Sequence, residues 1–280
     1  MKCLGGNKQM QPLISIICTV KNGESTIKDT ILSAFNQNYS NLEIIVIDDG
    51  SSDNTLKILS ELRKEIGKKI KIYPTDGIGR VEALNLAISK SNGEYISNLD
   101  ADDLIHPQKI KLQVKELNKN KDLFLIATDY VIVYNNEKTK WLDIQKDYKT
   151  RNVQSDLLYR NSIIHSSVLM RKDILIKLGK YNIGQKSQID YELWLRAYSK
   201  GCQMKIMELP LTAKRIHADQ SFENKKRLTY TLRSFFLQSK YILNYPKYYH
   251  YLIYILGSLL LSQLPFSLRN KIKEVLGVER

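Results

Sequence analysis

Residues 93–103 read Gly-Glu-Tyr-Ile-Ser-Asn-Leu-Asp-Ala-Asp-Asp. A strand-like run over residues 95–99 leads without a spacer into three carboxylates, Asp100, Asp102 and Asp103. A buried strand that stops on carboxylates puts negative charge at the rim of a sheet, where cations or hydrogen-bond donors must meet it. Hard divalent cations such as Mg²⁺ and Mn²⁺ prefer oxygen ligands, and often take one or two carboxylates together with phosphate oxygens and water. An Asp-x-Asp alone is a weak signal, and its weight depends on where it falls in the fold.

The preceding chain sets that position. Residues 13–20 are a β-rich run without polar alternation, as expected of a strand buried on both faces. Ile27, Ile31, Leu32 and Phe35 recur at helical spacing. Residues 42–47 read as a second buried strand. A helix follows, with an apolar face of Leu56, Leu59, Leu62 and Ile66 and with Ser52 or Asp53 available as its cap. Residues 70–73 are a short strand, residues 81–89 a helix through Val81, Leu84 and Ile88, and residues 95–99 the fourth strand. This alternation predicts an α/β fold with a Rossmann-like, mainly parallel sheet and helices on both faces. Ligands of such sheets lie beyond the C-terminal strand ends, here residues 18–24, 48–53 and 100–103.

The second of these places reads Asp48-Asp49-Gly50-Ser51-Ser52-Asp53 after the run Ile44-Ile45-Val46-Ile47. Adjacent carboxylates at a strand end repel each other unless donors or a cation stand nearby. A nucleobase N–H or ribose hydroxyls would serve Asp49, whereas Asp53 reads as an Asx-type turn before the next helix. Further on, residues 107–117 form a helix with Pro107 early, residues 124–134 and 166–170 strands, and residues 190–200 a helix. No repeat or low-complexity linker interrupts residues 13–220, which read as two halves, 13–105 and 106–220, of one domain behind a short tail, 1–12.

Composition narrows the function class. Apolar residues make up 43% of the 280, enough for a sizeable core. Cys3, Cys18 and Cys202 are scattered, with no zinc spacing and no disulfide framework. That usage fits a reducing, cytoplasmic compartment, and residues 1–12 lack the apolar segment of a signal peptide. The formal charge of +14 favours anionic partners. Half of it falls in residues 221–280, where ten Lys or Arg face three Glu. There residues 228–243 are amphipathic, and residues 248–266 are rich in Tyr, Leu and Ile. The apolar stretch is broken by Gly257, Ser258, Ser262, Gln263 and Pro265, short of the roughly 20 residues a spanning helix needs. Two readings stand: an interfacial segment at a membrane surface, or a helix pair packed on the domain. Basic residues that flank an apolar tail point to a membrane and not to nucleic acid.

Taken together and in order, these motifs resemble family 2 glycosyltransferases, which have the GT-A fold. The opening strand running into Asn22-Gly23-Glu24, the turn at residues 48–53 and the stretch at residues 93–103 carry the likeness. It continues through His165-Ser166-Ser167, Asp190-Tyr191-Glu192-Leu193-Trp194 and Arg215-Ile216-His217. The resemblance implies an inverting transfer from a nucleoside-diphosphate sugar, a UDP-sugar first among them, to an acceptor hydroxyl. It makes residues 13–105 the nucleotide-sugar half and residues 106–220 the acceptor half. By the same resemblance Thr19, Asn22, Glu24, Asp49, Arg80 and Asp100 hold the nucleotide sugar. Asp102 and His217 take a divalent metal, Mn²⁺ or Mg²⁺, and Asp190 is the general base. From the residues alone, Asp190 reads first as the N-cap of its helix, with Leu193, Trp194 and Ala197 on the buried face.

Two positions depart from the family pattern. Ile189 stands where an acidic residue often precedes the base, and Thr19-Val20-Lys21-Asn22 replaces Pro-Thr-Tyr-Asn. A nucleotidyltransferase on a similar sheet would call for a Gly-rich basic phosphate loop after the first strand, which Asn22-Gly23-Glu24 is not. An inactive scaffold is the other alternative, kept alive by Ile189 and opposed by Asp100, Asp102 and Asp190. The expected setting is the inner face of a cell membrane, with the protein peripheral and the acceptor lipid-linked or part of a surface polysaccharide or glycoprotein.

Overall fold

The computed structural model describes residues 11–134, 139, 141, 144, 147–153, 156–216, 227–264, 268 and 271. The expectations for residues 1–10, for His217 and for the basic residues Lys225, Lys226, Arg269, Lys273 and Arg280 fall outside the described residues.

The elements run β1 (Ile14–Val20), α1 (Ile27–Phe35), β2 (Leu42–Asp48), α2 (Thr55–Ile66), β3 (Ile70–Pro74), α3 (Arg80–Lys90), β4 (Tyr95–Asn98), β5 (Leu104–Ile105), α4 (Lys109–Lys119), β6 (Leu123–Tyr134), β7 (Thr150–Asn152), β8 (Leu169–Arg171), α5 (Lys172–Lys177), α6 (Ile189–Ser199), β9 (Gln203–Ile216), α7 (Arg227–Ile242) and α8 (His250–Ser262). Among the described residues the strands form one sheet in the order β3-β2-β1-β4-β8-β6-β9-β5, with β7 on β9. The β3-β2-β1-β4 half is parallel throughout, as the alternation of strands and helices requires. Beyond β4 the sheet turns mixed: β8 is antiparallel to β4 and β6, while β6 and β9 run parallel.

Every residue of β2 is buried: Ile44–Ile47 are apolar, and Glu43 is paired with Ser15 Oγ and Lys71 Nζ. Successive residues feed opposite faces: Ile14, Ile16 and Cys18 join one core with α1, α2 and α4, and Ile17 joins the other with α3 and α6. That second core also takes in Leu237, Tyr241 and Ile242 of α7 and Ile255 of α8. The tail is therefore a helix pair docked on the domain. Among the described residues no helix is long and apolar enough to cross a membrane.

Two local expectations change. Helix α2 buries Thr55, Leu59, Leu62 and Ile66, and leaves Leu56 39% exposed. Thr55 takes the inward position because its hydroxyl accepts the Gly23 N–H and donates to Asp53. Ser166 and Ser167, expected in a strand, lie in a tight 3₁₀ turn before β8. The Ser167 N–H and hydroxyl both donate to the Ile164 carbonyl, a local bond that competes with strand pairing.

Candidate active site

Strands β1, β2 and β4 end side by side, and their parallel direction brings the loops after Val20, Asp48 and Asn98 to one edge. Asp100 stands at the centre. Its Oδ1 accepts from Arg80 Nη2 at 2.8 Å and from Asn98 Nδ2 at 3.2 Å, with His165 Nδ1 also at 3.2 Å. Burial alone would raise this carboxyl. The Arg80 charge, His165 and the Asn98 amide overcome that and hold it well below the usual carboxylate range. His165 is itself buried, held by Tyr181, whose hydroxyl oxygen lies 2.7 Å from Nε2.

The loop is pinned from below. The Asp100 N–H donates to Ser166 Oγ at 3.0 Å, Ser166 Oγ lies 2.5 Å from Asp103 Oδ2, and Asp103 Oδ1 accepts the Arg215 N–H at 3.0 Å. Asp103 is buried, and burial together with the charges of Asp100 and Asp102 pushes its carboxyl up to about 8. Asp103 thus ties the loop to β9, while Asp102 remains half-buried at the surface of the site.

Asp190 arrives from the other half of the sheet. Helix α6 starts from Gln188, the N-cap, in a left-handed conformation with φ 53°. Asp190 sits in the first helical turn and accepts from Asn161 Nδ2 at 3.1 Å, so it is not the cap of its helix. The charge of Asp100 raises the Arg80 guanidinium further, against burial that lowers it, and the charges of Asp190 and Asp102 act in the same direction as Asp100; of the three, Asp100 is in contact at 2.8 Å.

The remaining expected residues form the wall after β1 and β2. Both Asp49 oxygens are engaged: Oδ1 accepts from Thr75 Oγ1 and the Ile78 N–H, and Oδ2 from the Gly79 N–H at 3.0 Å. Gly50 follows at φ 73°, and a Cβ there would stand 2.9 Å from the Gly77 nitrogen, so the close approach of the two loops demands glycine. Asn22 Oδ1 accepts the Ser52 N–H at 2.8 Å, and Glu24 Oε2 accepts the Asn54 N–H at 2.9 Å. Asp53 Oδ1 accepts the Thr55 N–H at 2.9 Å, the Asx-type turn read from the sequence. Thr19 is half-buried beside Ile47 in the β1–β2 register. No local pattern marks Asn161 or Tyr181, which reach the site only through chain folding. Asn98 and His165 lay inside recognised motifs without an assigned role.

A metal fits this donor set in a limited way. Among the described residues no three His, Cys, Asp or Glu side chains gather as a cage. Asp100 and Asp102 offer carboxylate oxygens of the kind that hold Mg²⁺ or Mn²⁺ when diphosphate oxygens supply further ligands.

Known proteins share this architecture. The chain is similar over 95% of its length to the structure of Staphylococcus aureus TarS, residues 1–349, in complex with UDP-GlcNAc, at a TM-score of 0.69, 19% identity and 76% of that chain. It is also similar to the mannosyltransferase PcManGT from Pyrobaculum calidifontis in complex with GDP-Man and Mn²⁺, at a TM-score of 0.63, 14% identity, 90% of this chain and 70% of that one. These likenesses establish the GT-A fold. In sequence, the chain is 34% identical over 189 residues to an uncharacterized glycosyltransferase of Rickettsia typhi, covering 66% of this chain and 58% of that protein. It is 32% identical over 219 residues to one of Haemophilus influenzae, covering 75% of this chain and 67% of that protein. The chain thus spans about three-fifths to two-thirds of the length of these relatives. The pattern described as Glycosyl transferase family 2 matches residues 15–179, and this chain belongs to that family.

Proposed function

We propose that this chain is an inverting glycosyltransferase that moves a sugar from a nucleoside-diphosphate sugar to an acceptor hydroxyl in surface polysaccharide, lipid-linked oligosaccharide or glycoprotein assembly. The observation that carries the reading is Asp100, bonded to Arg80 at 2.8 Å at the C-terminal edge of the sheet, with Asp102 and Asp190 acting by charge on the same arginine. Two of these carboxylates come from the loop after β4 and one from α6, leaving a donor side and an acceptor side. UDP-sugars head the candidates, as TarS binds UDP-GlcNAc, and PcManGT with GDP-Man marks the second class to try.

On the donor side, the half of residues 13–105, Thr19 and Asp49 hold the base, with Asn22 and Glu24 bracing the turn against which it rests. Asp49 Oδ2 takes one hydrogen bond from Gly79, leaving acceptor capacity for a base N–H. Arg80 keeps Asp100 ionised beside the ribose and phosphates. Asp102 would hold a divalent cation, Mn²⁺ or Mg²⁺, with His217 as the expected second protein ligand. When bound, that ion supplies positive charge to the departing diphosphate.

On the acceptor side, the half of residues 106–220, Asp190 is the base. The acceptor oxygen attacks the anomeric carbon while its proton passes to the Asp190 carboxylate. The bond from that carbon to the diphosphate oxygen breaks, and its electron pair leaves with the diphosphate. One displacement from the opposite face inverts the anomeric centre. Asn161 fixes Asp190 through one oxygen and leaves the other for the acceptor. The tail of residues 221–280 keeps the enzyme peripheral at the cytoplasmic face of the membrane, near a lipid-linked acceptor.

The test is a panel of nucleotide sugars, each with and without Mn²⁺, read by thermal shift and by hydrolysis. A bound donor raises stability as RT ln(1 + [L]/Kd). Stabilisation and slow hydrolysis with one sugar nucleotide, enhanced by Mn²⁺, is the expected result. No response to any UDP- or GDP-sugar would return the chain to the inactive-scaffold alternative.

A further inference from the structure

The residues 224–273 contain no Asp or Glu, yet they carry nine Lys or Arg. Within them, α7 and α8 each have two unlike faces. On α8, Tyr251, Leu252 and Ile255 pack against the core, whereas Ile253 is 77% and Leu260 61% exposed, with Tyr249 and Leu256 along the same stripe. The spacing 249, 253, 256 and 260 is that of one helical face. This open face carries no charge at all, a condition that water does not favour and that isolated surface apolar residues do not meet.

On α7, Arg233, Phe236 and Lys240 are exposed at spacings of three and four, and Leu243 follows directly after its end, so basic and apolar side chains alternate along one face. The Tyr249 hydroxyl donates to the Leu243 carbonyl at 3.3 Å, which joins the two stripes at the turn between the helices. The combined surface has an apolar stripe bordered by the cations of α7, neither helix carries an acid of its own, and Tyr249 stands at the margin.

We infer that this surface, the outer stripe of α8 with the basic stripe of α7, docks on a bilayer that carries anionic headgroups. Apolar side chains enter the acyl boundary, tyrosine suits the headgroup level, and each lysine or arginine gains attraction from anionic lipid. A protein partner would have to meet the apolar stripe of α8 and the cations of α7 at once; an anionic lipid surface supplies both without a specific shape. The inference rests on the membrane setting of the proposed function and specifies the face that meets it.

The experiment uses the whole chain with phosphatidylcholine vesicles, with and without phosphatidylglycerol, read by flotation. The wild type should float only with the phosphatidylglycerol vesicles and lose binding as salt rises. The double variant Ile253→Asp, Leu260→Asp should lose at least ~10-fold in partitioning, since two apolar contacts are replaced by charges. Arg233→Gln with Lys240→Gln should also weaken flotation. Donor hydrolysis without lipid is measured alongside and should be unchanged in all variants, which separates this inference from the transferase reading. A wild type that ignores anionic vesicles, an aspartate variant that floats as well as wild type, or a wild-type dimer that the aspartates split would each overturn it.

Discussion

Arg80 Nη2 lies 2.8 Å from Asp100 Oδ1, and this contact joins the first residue of α3 to the loop after β4 across the mouth of the site. The arginine side chain is 57% exposed, so the pair adds little to stability, on the order of 0–1 kcal/mol. Its effect is on the ionisation and direction of Asp100.

Arg80→Gln should therefore leave the thermal midpoint nearly unchanged while raising the donor KM by ~10-fold, the scale of one lost charge-assisted hydrogen bond. Steady-state kinetics on the responding nucleotide sugar check this. A donor KM equal to wild type would confine Arg80 to a surface role.

Asp102→Asn should keep the fold and abolish the Mn²⁺-dependent part of nucleoside-diphosphate binding, because an amide is a poor ligand for a hard cation. Isothermal titration with and without Mn²⁺ reads it directly. Wild-type affinity in the variant would remove Asp102 from the metal site.

Asp190→Asn should bind donor normally and turn over ~10²–10⁴-fold more slowly, the range expected for loss of a general base. Asn161→Ala should give a smaller fall in kcat, because it removes the bond that orients Asp190 while leaving the carboxylate in place. Normal turnover in Asp190→Asn would leave the residue as an ordinary first-turn acid of α6.

Lys109 is fully buried, and its ammonium donates to Ser97 Oγ at 3.2 Å. Burial lowers its pKa to about 7, below the unfolded value. Below pH 7 the fold must bury the charged form, so the penalty is full there; as pH rises from 7 towards the unfolded value, the unfolded chain holds more protons and the penalty fades. Lys109→Met should raise the thermal midpoint more at pH 6 than at pH 9. A pH-independent difference would show that Lys109 does not titrate between the two.

The two faces of α8 should respond oppositely to truncation. Ile255 is 2% exposed and Ile253 77%. Ile255→Ala should cost ~2–5 kcal/mol, and Ile253→Ala should stay within about 0.5 kcal/mol. Removing all residues after Asn244 should lower the midpoint and expose core surface to a hydrophobic dye. Equal midpoints for the two alanine variants would mean that α8 does not pack as described.

The sequence by itself determined the parallel half of the sheet and the loops that carry its chemistry. Strands β1 to β4 announce themselves through short β-prone segments alternating with helical patterns, and Asp48–Asp49, Asp100 and Asp102 stand at the ends of β2 and β4, where a buried strand can shed charge. Local bonding was legible too: Asp53 forms its turn with a residue two positions away. What spans long separations was not. Asn161 on Asp190, Tyr181 under His165, and Arg215 on Asp103 depend on the mixed β8-β6-β9 half, whose strands join segments far apart in the chain. The tail shows the limit most clearly, since its uncharged stretch fits a membrane or a core equally well. Only the tertiary structure assigned Ile255 inward and Ile253 outward, because helical periodicity sets which residues share a face but not which face meets the protein.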